Sequence, residues 1–256
     1  MPLVGGNVSG GVVRVGATVR RPVGEWTSAV HALLRHLDTV GFVGAPRVLG
    51  FDEEGREILT YIPGVSLSIE AAHLLESTDG VAKAGALVAS LHTAMRSFVP
   101  PEHASWWTGS LDPVPSLSMT HGDLAPWNVI VDGDDWYLID WDSACPGRFV
   151  WEAAYSLHTF AMLGPDTALS DADAIARIRA FGDGARLSKT KLADVLRLVP
   201  SRTRATADMI DTFADQGHPA FTALRDEGHI QAWRRASEYV ESRLVPWLDG
   251  VNRSAS

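Results

Sequence analysis

Between Met119 and Ser143 the chain reads "MTHGDLAPWNVIVDGDDWYLIDWDS". Two strand-length apolar runs, "NVIV" and "WYLID", flank "DGDD", a turn sequence that joins antiparallel strands into a hairpin. A hairpin sets the start of its first strand against the end of its second. Asn128 is therefore expected beside Asp140, with His121 and Asp123 on the loop that leads in. Two oxygen-bearing side chains at the open end of a hairpin, with another carboxylate beside them, suit a magnesium–nucleotide site. Magnesium takes few protein oxygens and completes its octahedron with phosphate and water.

Upstream, residues 1–62 read as β-rich. "GVVRVGATVRRP" predicts two short strands joined near Gly16 and Ala17 and ended by Pro22. Val30, Leu33, Leu34 and Leu37 then fall at helical spacing, with Gly41 as the stop. "RVLGFDEEGREILTYIPG" predicts two strands around an acidic turn, closed by Pro63 and Gly64. A core this small needs a partner lobe.

From residue 65 the pattern turns helical. Ala84, Leu87, Val88, Leu91 and Met95 make one apolar stripe, and the Pro-rich stretch around residues 98–116 reads as a loop. Past the hairpin, four further segments read as helices, with Gly182, Gly184 and Pro200 as stops. The expected fold class is α+β and two-lobed. A small β-rich lobe, residues 1–62, precedes a larger, mainly helical lobe, residues 63–256.

The 22 basic residues against 31 acidic ones give a net charge of −9, which argues against nucleic acid as a partner. A lone cysteine, Cys145, excludes an intrachain disulfide and points to a cytoplasmic setting. No apolar run reaches the roughly eighteen residues of a membrane span, and the N-terminus does not read as a signal peptide.

"HGDLAPWN" followed by "LIDWD" resembles the catalytic core of the aminoglycoside phosphotransferase family, small-molecule relatives of protein kinases with the same two-lobed fold. The resemblance implies ATP or GTP and Mg2+ as cofactors, and a small-molecule hydroxyl as the acceptor. It makes Asp123 the catalytic base, Asn128 and Asp140 the magnesium ligands, and His121 a brace for the loop. "EILTYIPG" looks like the hinge between lobes, whose backbone at Thr60, Tyr61 and Ile62 would hold adenine. "ALVASLHTAM" looks like the helix beneath the catalytic loop. In "FVWEAAYSL", Glu152 stands where the family usually carries an aspartate and reads as a support residue, as does His92.

The family pattern is broken in the first lobe. The kinase fold usually holds the α- and β-phosphates with a strand lysine paired to a helix glutamate, but no lysine precedes Lys83. Arg21, which shares a strand face with Val19, is the favoured replacement, with Arg20 as the alternative. His31 stands near the place of the glutamate, so the ion pair is either rebuilt from other residues or absent. The glycine-rich "GGNVSGG" could cover phosphates with its amides, and Ser9 could reach the terminal one. A nucleotide-binding pseudokinase, working as a sensor or immunity module, is the alternative that the missing lysine favours.

The acceptor's nature turns on two sets of residues. Trp106, Trp107, Trp127 and Trp141 fall near the expected cleft and could stack on a ring or cage a cation. Asp166, Asp171, Asp173, Asp208, Asp211, Asp215, Glu238 and Glu241 are spread over the later helices. If two or three of them converge near Asp123, a polycationic amino-sugar antibiotic is the expected acceptor.

Overall fold

The computed structural model describes residues 11–107, 111–116 and 118–253. Ser9 and nearly all of the glycine-rich loop lie outside the described residues.

Strands β1 (Val13–Val15), β2 (Thr18–Arg21), β3 (Val48–Phe51) and β4 (Glu57–Thr60) form an antiparallel sheet in the order β1-β2-β4-β3. Helix α1 (Thr27–Thr39) follows Pro22, which has no N–H for the sheet ladder. The register of β2 on β4 sets Arg21 opposite Glu57 and Arg20 opposite Ile58. This is the strand, strand, helix, strand, strand order read from the sequence.

The apolar face of α1 does not close a core of its own. Val30, Leu33, Leu34 and Leu37 belong to one continuous cluster with Trp136 and Leu138 of the hairpin and with Val88 and Leu91 of α2 (Thr78–Met95). His36 Nε2 donates to the Ala94 carbonyl, and Leu138 N–H donates to the Gly44 carbonyl. The small first core is completed by the hairpin and α2, which is how a segment of this length escapes the surface-to-volume penalty.

The hairpin forms as expected, with β7 (Val129–Asp132) paired to β8 (Asp135–Leu138). Two short pairings were not expected. β5 (Val65–Ser66) adds a third strand beside β7, and β6 (Met119–Thr120) pairs with β9 (Cys145–Pro146). Neither has an apolar run long enough to show as a strand, because each is held by its partner and not by its own pattern.

Helices α3 (Phe149–Phe160), α4 (Asp171–Gly184), α5 (Lys189–Asp215), α6 (Pro219–Asp226) and α7 (His229–Asn252) complete the chain. The expected stop at Pro200 is overturned, since α5 runs through it. An interior proline costs about 3 kcal/mol in a helix. Side-chain hydrogen bonds gather on the backbone around it. Thr203 Oγ1 donates to the Val199 and Pro200 carbonyls, and Ser237 Oγ of α7 donates to Pro200. Gly182 is also not a stop, while α4 does end at Gly184. Among the described residues no helix is long and apolar enough to cross a membrane.

Helices α2 and α4 approach backbone to backbone. A Cβ at Gly85 would run into the Phe181 carbonyl, and one at Gly184 into the Ala82 carbonyl. Gly85→Val forces the helices apart. Overpacking of this kind costs about 1–3 kcal/mol, and each kcal/mol lowers Tm by roughly 2–4 °C at this chain length. Thermal unfolding should therefore shift down by about 2–12 °C. An unchanged Tm would show that the two helices are not in this contact.

Candidate active site

The hairpin delivers the expected juxtaposition. Ile139 N–H donates to the Asn128 carbonyl at 2.9 Å, which sets Asn128 beside the residue that precedes Asp140. Asp140 then leaves the strand with φ +59° and ψ +68°. This left-handed conformation is uncommon outside glycine and carries local strain.

The loop before the hairpin is clasped from below. Gly122, at φ +84°, packs so closely on the Ser143 carbonyl that no side chain fits. Its N–H donates to Glu152 Oε1 at 2.7 Å, and His92 Nε2 donates to Glu152 Oε2 at 2.6 Å. Burial pushes the Glu152 carboxyl up. The hydrogen bond and charge of His92, aided by the Gly122 amide, more than offset this and hold it below the usual range. His121 is fully buried, lies against the Trp141 ring and donates from Nε2 to the Ile139 carbonyl at 3.0 Å. Burial lowers its pKa, so the ring is neutral at pH 7 and ties the loop to the end of β8.

Asp123 accepts three hydrogen bonds. Tyr155 Oη donates to Oδ1 at 2.6 Å, while Asn128 Nδ2 (2.8 Å) and Trp127 Nε1 (3.1 Å) donate to Oδ2. Asn128 Nδ2 also donates to the Asp123 carbonyl. Because the amide nitrogen is committed to Asp123, the amide oxygen of Asn128 faces away from it. Tyr155 and Trp127 were not assigned to the base from sequence. Their helical and loop positions gave no signal that they converge on one carboxylate.

On the opposite wall, Arg21 gathers three carboxylates. Its Nε lies 2.8 Å from Glu57 Oε1, Nη1 lies 3.6 Å from Asp140 Oδ1, and Nη2 meets Asp142 Oδ2. His31 Nε2 reaches the other oxygen of Glu57 at 2.7 Å. Arg21 is thus paired with Glu57 of β4, and His31 supplies the link to α1. Arg20 stands on the other face of β2, where it pairs with Asp52 at 3.3 Å, and it does not line the cleft.

Thr60, Tyr61 and Ile62 line the same cleft. Two of their amides are already used, Thr60 N–H by the Arg47 carbonyl and Tyr61 N–H by the Ala17 carbonyl. The Tyr61 ring is covered by the Arg14 guanidinium, 3.7 Å from its centroid.

The donor set fits a hard divalent cation in kind. Asn128 offers an amide oxygen and Asp140 a carboxylate. Burial, with Asp142 and Asp123 nearby, raises the Asp140 carboxyl to about 6 despite Arg21. A bound cation would relieve that crowding. Among the described residues no cluster of three or more His, Cys, Asp or Glu side chains could hold a metal.

The tryptophans divide. Trp127 is exposed over Asp123, whereas Trp141 is buried against His121. Trp107 stacks on Trp26 at 5.2 Å and packs with Phe213 and Phe221, and Trp106 packs on the main core.

Residues 106–190 match a model of the phosphotransferase enzyme family. That stretch contains every catalytic-loop and hairpin residue described above. A trifolitoxin immunity protein from Rhizobium leguminosarum bv. trifolii is 38% identical over 161 residues, which is 60% of this chain and 60% of the relative. In fold, the chain is similar to an amicoumacin kinase solved with AMP-PNP, Ca2+ and Ami (TM-score 0.63, 12% identity, 88% of this chain and 82% of that one). It is also similar to a choline/ethanolamine kinase family protein from Mesorhizobium loti (0.59, 16%, 94% and 88%) and to an aminoglycoside phosphotransferase from Alicyclobacillus acidocaldarius (0.53, 13%, 98% and 97%). The expected two-lobed fold of the protein-kinase-like small-molecule kinases is thus the observed one.

Two outcomes follow from the site. Arg21→Ala removes a buried cation from the cleft, and hydrogen bonds to charged groups are worth about 1.5–3 kcal/mol. Calorimetric titration with magnesium-ATP should show a loss of about tenfold to a hundredfold for Arg21→Ala and none for Arg20→Ala; equal losses would deny the distinction between the two faces. The second outcome concerns His158, whose pKa burial lowers from 6.5 to about 4. Its neutral form is the native one, so below the unfolded pKa the unfolded chain takes up a proton that the folded chain refuses. Stability should fall by roughly 3 kcal/mol as pH drops from about 6.5 to about 4. Urea unfolding across that window should give a flatter dependence for His158→Gln, and an identical slope would assign the acid lability elsewhere.

Proposed function

We propose that this protein, a kinase-like fold with a phosphotransferase-family catalytic segment, transfers the γ-phosphate of ATP to a hydroxyl of a small molecule. The observation that carries the proposal is the convergence of Asp123, Asn128 and Asp140 at the mouth of one hairpin, with Arg21 across the cleft. Composition and topology alone do not require that arrangement.

In this reading the nucleotide lies between residues 1–62 and residues 63–256. Ile62 N–H is the hinge donor that remains once the Thr60 and Tyr61 amides are spent. Arg21 exchanges part of its carboxylate contact for phosphate oxygens, and Glu57 with His31 keeps it aimed at the cleft. Asn128 and Asp140 would hold magnesium, which would supply charge neutralisation for the phosphate groups. Asp123 orients the acceptor hydroxyl and accepts its proton. Tyr155, Trp127 and Asn128 fix the direction of its two oxygens. No covalent enzyme intermediate is needed, since alignment and charge stabilisation carry this chemistry. The single buried Cys145, pushed up to about 11 by burial, takes no part and fits a cytoplasmic setting.

A second reading, a nucleotide-binding immunity module, is supported by the likeness to a trifolitoxin immunity protein. The two readings meet if immunity is achieved by phosphorylating a toxic small molecule. They part if the chain binds nucleotide and transfers nothing.

The deciding assay is nucleotide turnover and phosphate incorporation against a panel of hydroxyl compounds. Asp123→Asn should keep nucleotide binding and lose about a hundredfold to ten-thousandfold in kcat, the usual cost of a lost general base. Wild-type turnover in that variant, with a confirmed acceptor, removes Asp123 from the role of base. Nucleotide binding without transfer to any acceptor leaves the immunity-module reading.

A further inference from the structure

The cleft of about 1100 Å³ does not end at Asp123. It continues between α3, α5, α6 and α7, with space beyond the nucleotide side for a molecule of drug-like size. The walls of this second half are Tyr155, Trp127, Trp233, Met162, Met209 and Phe221. Tyr155 and Trp233 stack at 5.7 Å and 26°, and Trp127 stands edge-on to Tyr155 at 6.3 Å. Trp127 is 42% and Met162 40% exposed, so large apolar surface faces open space next to the catalytic carboxylate.

The later helices do not supply this half with the carboxylates that a polycation would need. Of the helix carboxylates, Asp171 is taken by Arg243 (2.7 Å) and Trp247, Asp211 by Arg234 (3.3 Å), Asp215 by Arg225 (2.9 Å) and Glu241 by Arg204 (3.2 Å). None of these lines the cleft. Apart from the catalytic centre and Glu70 beside β5, whose carboxylate takes the Ser66 N–H, Asp166 is the one acidic lining residue among those described. The condition set for an amino-sugar acceptor, convergence of two or three of the later-helix carboxylates near Asp123, is therefore not met, since Asp166 alone of them lines the cleft.

The cation of this half belongs to the protein. Arg202 of α5 is buried, donates to the Gly122 carbonyl at 3.1 Å and lies 4.2 Å from the centre of the Tyr155 ring. Tyr155 thus already carries a guanidinium and a stacked indole, which weakens it as a seat for a ligand ammonium.

We infer that the acceptor is an uncharged hydroxyl compound with a flat aromatic or fused-ring body, seated on Trp233, Trp127 and Met209 with its hydroxyl at Asp123. The inference rests on the phosphotransferase reading for the role of Asp123, but the shape and charge of the seat do not depend on it. Aromatic bodies gain from area burial and from offset stacking, and neither gain is screened by salt.

The test is equilibrium binding to the full chain, with and without magnesium-AMP-PNP. The probes are 2-naphthalenemethanol, kanamycin and choline, each at low and high salt. The naphthyl alcohol should bind about tenfold or more tightly than either cation, and its affinity should stay flat with salt. Trp233→Ala should weaken it by about tenfold; Trp233→Leu, which keeps the volume better, should weaken it less and guards against a folding artefact. Tighter binding of kanamycin or choline, falling with salt, overturns the inference, as does naphthyl binding indifferent to both Trp233 variants. AMP-PNP binding is read in its own arm. Loss of nucleotide binding with intact naphthyl binding counts against the phosphotransferase reading and leaves the acceptor class standing.

Discussion

One buried carboxylate holds the Gly122–Asp123 loop in place. Glu152, on the first turn of α3, takes the Gly122 amide on one oxygen and His92 of α2 on the other. Two helices and the loop are thereby fixed by a single group that water does not reach. An unpaired carboxylate there would be expensive, so the clasp is held in all its parts or not at all. The His121 ring on the Ile139 carbonyl and the packing of Gly122 on Ser143 lock the same loop to the end of the hairpin. Asp123 inherits its direction from these ties and from Tyr155, which α3 carries three residues after Glu152.

Beside the apolar packing of α1 on the hairpin and α2, charge joins β2 to this platform. Arg21 faces Glu57 in its own sheet and Asp140 and Asp142 beyond the hairpin, so one guanidinium spans the cleft. Its buried charge is sustained by three carboxylates against the cost of desolvation. A lysine is a single point charge, whereas the planar fork of arginine presents several donors in fixed directions, which is how one side chain reaches three partners. His31 is part of the same solution. It sits on α1, and it meets Arg21 only through Glu57.

Much of this was legible in the chain. The hairpin announced itself by strand-length apolar runs around "DGDD", and antiparallel pairing then forces Asn128 toward Asp140. The alternation along β2 distinguished Arg21 from Arg20, because successive side chains point to opposite faces. Other features had no local signature. β5 and β6 are strands of two residues that exist through their partners. Pro200 looks like a stop in isolation, yet α5 runs through it where it packs on α7, with Ser237 bonded to the Pro200 carbonyl. The partner of Arg21 lies on β4, 36 residues away, and no periodicity points to Glu57.

The sequence by itself determined the order of elements, the hairpin and the chemical identity of the groups at its mouth, because these follow from short-range spacing. It also determined that many carboxylates occur on the later helices. Where those carboxylates point was decided only by tertiary structure. Helix packing pairs Asp171, Asp211, Asp215 and Glu241 with arginines away from the cleft, and it turns Tyr155, Trp233 and Met209 into the cleft that Asp123 lines. A helix gives each residue an angle about its own axis, but which angle faces a cavity depends on how neighbouring helices cross. That packing is set by side-chain volumes contributed from the whole chain, so the charge and shape of this half of the cleft became visible only once the helices were assembled.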